Sequence, residues 1–265
     1  MEVKMRNILD IIGGTMRIQM KNSFARPMFQ FCLIVAPITN TILLYYMFKN
    51  SQMDNFMTYV VVGAGLSSLW ACICFSSIGD INRERWYGTL SLIFTAPAGF
   101  NLIILGKIIG NTVLSLISFG ITVLTAILLF DAKLVITNVV LLIVALLIGL
   151  CAFIVFSQIF AYLLTLSRKT TLYMNCLDIP ISLICGFVIP IELLPGWIQP
   201  LAYALPPTWV VKLIRGSFDT GLTRNEFLEY FVILVGQIII YAILCHMLYK
   251  IIERRVKINA SLEMM

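Results

Sequence analysis

Long uncharged stretches alternate with short charged ones along this chain, and that alternation sets its architecture. Read from charge to charge, apolar runs cover Pro27 to Phe48, Asn55 to about Ile78, Ile108 to Phe130, Leu134 to about Thr165, Thr171 to about Ile189 and Tyr230 to Tyr249. A helix needs roughly 20 residues to cross a hydrocarbon layer about 30 Å thick, so each run predicts a membrane-spanning helix. Two more uncharged windows, Trp86 to Gly106 and Leu193 to Val211, are long enough. The first contains Thr95-Ala-Pro-Ala-Gly99 and the second Pro195, Pro200, Pro206 and Pro207, and these breakers argue against full spans. Ahead of the first run, Met5, Ile8, Leu9, Ile12, Met16 and Met20 recur at helical spacing, with Arg6, Asp10, Arg17 and Lys21 along the other side. That pattern predicts a helix within residues 1–26 lying in the membrane interface, a merely solvated helix being the alternative.

Composition removes the other classes. With 265 residues, 60% of them apolar, 12% charged and a mean hydropathy of +0.96, no water-soluble domain is expected. The fold class is therefore all-α: one polytopic membrane domain over residues 1–265 with six spans. The first run is too long for a signal-peptide core and has no small-residue cleavage site after it, so it is expected to stay. Cys32, Cys72, Cys74, Cys151, Cys176, Cys185 and Cys245 all fall in apolar runs without metal-ligand spacing and read as small buried hydrophobes.

The excess of 19 basic over 13 acidic residues suits loop sidedness better than nucleic acid, and no nucleic-acid partner is expected. One set of loops holds Lys4, Arg6, Arg17, Lys21, Arg26, Arg83, Arg85, Lys107, Arg168, Lys169, Lys250, Arg254, Arg255 and Lys257, the other only Lys49, Lys133, Lys212, Arg215 and Arg224. By the positive-inside tendency both termini and the loop 79–107 face the cytoplasm of a multi-pass cell-membrane protein.

That loop, "GDINRERWYGTLSLIFTAP" from Gly79 to Pro97, breaks the apolar pattern most sharply. Placed on one helix, Trp86, Tyr87, Leu90, Ile93 and Phe94 share a face, and Glu84, Gly88, Ser91 and Thr95 share another. The aromatic face suits the headgroup boundary, and Glu84 with its neighbours Arg83 and Arg85 would face the cytoplasm, either for docking or as an ordinary interfacial anchor.

The run "RERWYGTLSLIFTAPAGFNLIILGKIIG" resembles the first cytoplasmic loop of ABC-2 type permeases, the membrane subunits of ATP-binding-cassette exporters. Arg83 and Glu84, Gly88 and Thr89, Pro97, and Gly106 and Lys107 follow the family's order. Many members carry an acidic residue after Gly-Thr-Leu, where this chain has Ser91. A second run, "GFVIPIELLPGWIQPLAYALPPTWVVKLIRG", is similar to the family's outer re-entrant segment, with Gly186, Pro190, Leu194-Pro195, Trp197, Pro207 and Arg215 in order. Within the family the chain looks more like the drug and lipid permeases related to the daunorubicin-resistance membrane component than like glycan exporters.

The resemblance implies a permease paired with a second copy or a homologue, embedded among membrane lipids. It also implies two cytoplasmic ATPase subunits that dock on the 79–107 loop through Arg83, Glu84, Arg85, Gly88, Thr89 and Pro97, and an outer re-entrant segment over 190–226. ATP and Mg would be bound by those partners and no cofactor by this chain. The chain itself has no Walker A pattern: Gly106-Lys107 is followed by Ile108 and lacks a glycine five positions earlier.

Polar residues inside spans are costly unless they face protein or water. Asn111, Ser115, Ser118, Thr122 and Thr125 form a stripe on the third span, and Thr171, Asn175, Asp178 and Ser182 one on the fifth. Both are expected either to line a translocation path or to bond helices together, with Arg168 or Lys169 as possible partners of Asp178. His246, the sole histidine, has no acidic or cysteine neighbour at ligand spacing and is taken as structural. The expected function is an exporter permease for an amphipathic, drug-like or lipid-like molecule. A glycan exporter of the same superfamily is the nearest alternative, and an intramembrane enzyme or a passive pore would need catalytic clusters or charge rings that the spans lack.

Overall fold

The structure, a computed structural model, describes residues 2–50, 56–132, 138–165, 170–218 and 223–259. Among them all regular structure is helical. We number the helices α1 (Glu2–Phe24), α2 (Pro27–Phe48), α3 (Phe56–Trp86), α4 (Leu90–Thr95), α5 (Phe100–Phe130), α6 (Val139–Thr165), α7 (Thr170–Ile184), α8 (Gln199–Ala204), α9 (Pro206–Phe218) and α10 (Arg224–Asn259). Five of them, α2, α3, α5, α6 and α10, are long and apolar enough to cross a membrane. The remaining expected span appears as α7, a helix of 15 residues with Pro180 inside it, which rises about 22 Å and gives way to turns before Pro190. Arg168 and Lys169 lie outside the described residues.

Helix α3 is the axis of the bundle: 88% of its most apolar stretch is buried within the chain, against 11% for α10. Trp70 sits among Phe153, Phe156 and Phe160 of α6, with ring centroids 5.4 to 6.4 Å apart, and Val210, Val211, Leu213 and Ile214 of α9 close the same core. Lipid tails are as apolar as these side chains, so shape-matched packing rather than water exclusion holds the helices together. Helix α1 shows this. It packs along α5, where a Cβ on Gly110 would come within 2.9 Å of the Met16 carbonyl oxygen and one on Gly106 within 3.0 Å of that of Ile12. The two glycines form a groove that only a bare backbone can offer.

Two π-helical stretches interrupt the spans. Phe31–Val35 in α2 precedes Pro37, whose ring removes an N–H and crowds the carbonyl four residues back. Cys74–Ile78 in α3 precedes Gly79 and Asp80; one extra residue in a turn rotates everything after it by about 100°. Helix α10 opens with a capping box in which Glu226 Oε2 accepts from the Thr223 N–H at 2.8 Å.

Not every expectation about side chains holds. Of the cysteines, Cys32, Cys72, Cys74, Cys185 and Cys245 are buried, but Cys151 is exposed, because α6 turns that face outward from the bundle; Cys176 lies outside the described side chains.

Candidate functional site

The 79–97 stretch does not form one helix. α3 runs through Trp86, the chain turns at Tyr87-Gly88 and α4 starts after Thr89. Gly88 adopts φ +66°, which a residue with a Cβ rarely tolerates, and this is what allows the break. The shared aromatic face expected from periodicity is thereby split. Leu90 is buried, and Phe94 stacks on Phe100 at a centroid distance of 4.0 Å. Trp86 and Tyr87 stand out from the turn at 84% and 76% exposure. Pro97 is exposed in the turn between α4 and α5.

The charges expected to face outward bond within the chain instead, Arg83 to its own helix and Glu84 and Arg85 to two others. Arg83 pairs with Asp80 and also donates to the Ser76 carbonyl at 3.2 Å. Glu84 forms an ion pair with Lys107 of α5 and accepts from the Thr89 hydroxyl. Arg85 donates at 2.7 Å to the carbonyl of Thr165, the last residue of α6, where the helix end leaves carbonyls without helical partners. The loop is therefore a frame pinned to α5 and α6, with an aromatic tip.

At the centre of this frame lies a residue that sequence reasoning did not single out. Asp80 is 5% exposed and accepts from Arg26 Nη1 at 3.1 Å, Asn111 Nδ2 at 3.0 Å, Arg83 and Gln19 Nε2. Asn111 Oδ1 accepts in turn from Ser23 Oγ at 2.6 Å, and Ser23 also accepts from Arg26 Nη2 at 2.7 Å. The network ties α1, α3 and α5 into one unit. A 470 Å³ cleft opens beside it, lined by Gln19, Asn22, Arg26, Arg83 and Tyr87 among others. The available signal was a carboxylate directly after an apolar run together with Gln19 and Ser23 interrupting the apolar face of α1.

The rest of the third-span stripe is buried as well. Ser115, Ser118, Thr122 and Thr125 donate to carbonyls of their own helix at 2.7 to 3.1 Å, and Ser118 also shares a hydrogen bond with Cys72 of α3; none of the four lines the cleft. Asp178 and Ser182 of α7 instead share a 180 Å³ cavity with Asn40 of α2 and Ser67 of α3; the side chains of Thr171 and Asn175 lie outside the described residues.

At the opposite end of the bundle, the segment from Pro190 contains a 3₁₀ turn, α8 and α9, none long enough to span. Pro195 and Trp197 are exposed, and Pro207 is buried at the start of α9. Arg215 donates to the Phe187 carbonyl at 3.1 Å and stacks 3.7 Å over the Tyr59 ring. Burial pulls its pKa below the usual arginine value, and Tyr59 opposes that pull. Lys212 lies 4.5, 5.3 and 5.5 Å from the rings of Tyr203, Trp209 and Tyr230, fixing α9 to α8 and α10.

The described residues form an all-helical bundle in which five helices are long and apolar enough to cross a membrane. The family described as "ABC-2 type transporter" matches residues 14–218, and the chain belongs to it: it is a membrane-embedded permease subunit of an ABC transporter. No curated protein matches the chain.

Proposed function

We propose that this chain is the permease of an exporter that moves an amphipathic, drug-like or lipid-like molecule out of the cytoplasm or the inner leaflet. A separate ABC ATPase grips the tip at Trp86, Tyr87 and Leu92. The frame carries the reading: Arg83, Glu84 and Arg85 each bind a different partner inside the chain, so force on the tip reaches α5 and α6 without being lost in a flexible loop. Two ATPase subunits, with their ATP and Mg, act on a pair of permeases in the cell membrane. Both termini lie on the cytoplasmic side, in keeping with Arg26, Arg83, Arg85 and Lys107 gathering at one end of the bundle. The segment 190–226 lies over the outer end of the path, and the cavity at Asp178 and Ser182 opens onto that path.

The test is affinity purification of the tagged permease from its native membranes, with ABC ATPases identified by mass spectrometry. Wild type should retain one. Trp86→Ala/Tyr87→Ala should melt and accumulate as wild type, because neither ring is packed in the chain, yet lose the ATPase at least tenfold. Equal recovery by the double variant would end the docking claim, and recovery of no ATPase by wild type would end the transporter reading.

A further inference from the structure

The cavity between α2, α3 and α7 gathers one carboxylate, one amide and two hydroxyls on an apolar wall. Asp178 offers a carboxylate to which, among the described residues, no hydrogen bond or ion pair is made, and no basic residue lines the cavity. One N–H of the Asn40 amide donates to Ser68 Oγ at 3.1 Å, and its oxygen is available to accept. The Ser182 hydroxyl donates to the Ile179 carbonyl at 2.8 Å and likewise keeps its lone pairs. Ser67, 9% exposed, has a buried hydroxyl with no partner in the described structure. A buried hydroxyl left unmatched is a cost that folded chains rarely carry without reason, and a lone carboxylate among apolar helices is another.

We infer that this cavity binds the primary ammonium group of an amphipathic substrate, with Asp178 as its counter-ion and Ser67, Asn40 and Ser182 taking its N–H donors. An ammonium has three donors and no acceptor, which suits the Asp178 carboxylate, the Asn40 oxygen and the hydroxyl lone pairs of this lining. Among the described residues no aromatic ring lines the cavity, so they supply no cage of the kind that suits a quaternary ammonium. At 180 Å³ it is too small for a whole drug-sized ligand, for which about 300 to 1,000 Å³ is usual. It takes a head group, while Leu43 and Ile179 at its rim, 56% and 65% exposed, leave an apolar surface for the tail. This inference rests on the permease reading above and names the chemistry of its substrate.

Permease in phosphatidylcholine nanodiscs would be titrated calorimetrically with hexylammonium, hexyltrimethylammonium and hexanoate. Hexylammonium should bind, the trimethyl analogue at least tenfold more weakly and hexanoate not at all. Asp178→Asn should weaken hexylammonium at least tenfold, Asp178→Glu should restore most of the loss, and Ser67→Ala should cost about threefold, all at unchanged melting temperature. Wild-type affinity in Asp178→Asn, or equal affinity for the two amines, would overturn the inference. Should Asp178→Asn not accumulate, Ser67→Ala decides, and unchanged affinity there overturns it. Adding phosphatidylethanolamine to the discs separates two sources of the same chemistry: competition assigns the site to a bilayer lipid, and unchanged hexylammonium binding assigns it to a free amphiphile. An ATPase that co-purifies with a permease blind to hexylammonium refutes only this inference, whereas hexylammonium binding without any ATPase refutes only the transporter reading.

Discussion

Removing the carboxylate of Asp80 should loosen the end of the bundle that carries the 79–97 stretch more than any charge change in the neighbouring loop. Four donors converge on it, and Asp80→Ala leaves all of them without their acceptor. The two arginines do not suffer equally with the amides. Arg26 and Arg83 retain 24% and 32% side-chain exposure and can turn toward the open cleft, so much of their charge is rescued by water. Gln19 and Asn111 are buried and cannot, although Gln19 Nε2 keeps Ser23 Oγ at 2.9 Å and Asn111 Nδ2 a longer contact of 3.4 Å with Ser77 Oγ. A stranded buried polar group costs about 1 to 3 kcal/mol; Asn111 comes nearest to that, and with the bond lost at Gln19 and a residue of uncompensated charge the total is about 3 kcal/mol, the low end for breaking a buried ion pair. That corresponds to a drop of roughly 10 °C in melting temperature for a chain of this size. Thermal unfolding of purified permease in nanodiscs measures it, and Asp80→Asn should fall between wild type and alanine. A double-mutant cycle with Arg26→Gln should show coupling of about 1 kcal/mol or more. A loss below about 1 kcal/mol in Asp80→Ala, or strict additivity in the cycle, would refute the idea that this network holds α1 to α3 and α5.

Two further outcomes can be checked. Gly110→Leu drives a side chain into the backbone of α1 at Met16 and should detach that helix, seen as faster proteolysis between residues 1 and 26 and a loss of about 1 to 3 kcal/mol; wild-type resistance would contradict the packing. In a background lacking the native cysteines, Cys151 included because it is exposed, a cysteine at position 197 should react with an impermeant thiol reagent from outside and one at position 87 only after permeabilisation; the reverse would invert the proposed topology.

The presence of membrane-spanning helices could be read from the order of residues alone, because lipid leaves a backbone no other way to satisfy its hydrogen bonds and demands a long uncharged run for each crossing. The basic residues gathered at one end and the break-rich segment at the other were legible for the same reason, as local composition. What each polar residue faces was not. The period that marks Asn111, Ser115, Ser118, Thr122 and Thr125 is the same for a pore lining and for a buried seam, and only the packing of α1 and α3 beside α5 placed it inside one chain. Glu84 reads as a surface charge until Lys107, 23 positions later, returns beside it. Asp80 reads as the first residue of a loop. It becomes a buried hub because a π turn reorients the end of α3 and because two glycines let α1 approach closely enough for Gln19 and Arg26 to reach it. Hydrophobic runs are a property of neighbours in sequence, so the chain states them outright; pairing between charges depends on where distant segments meet, and that is decided only when the helices close on one another.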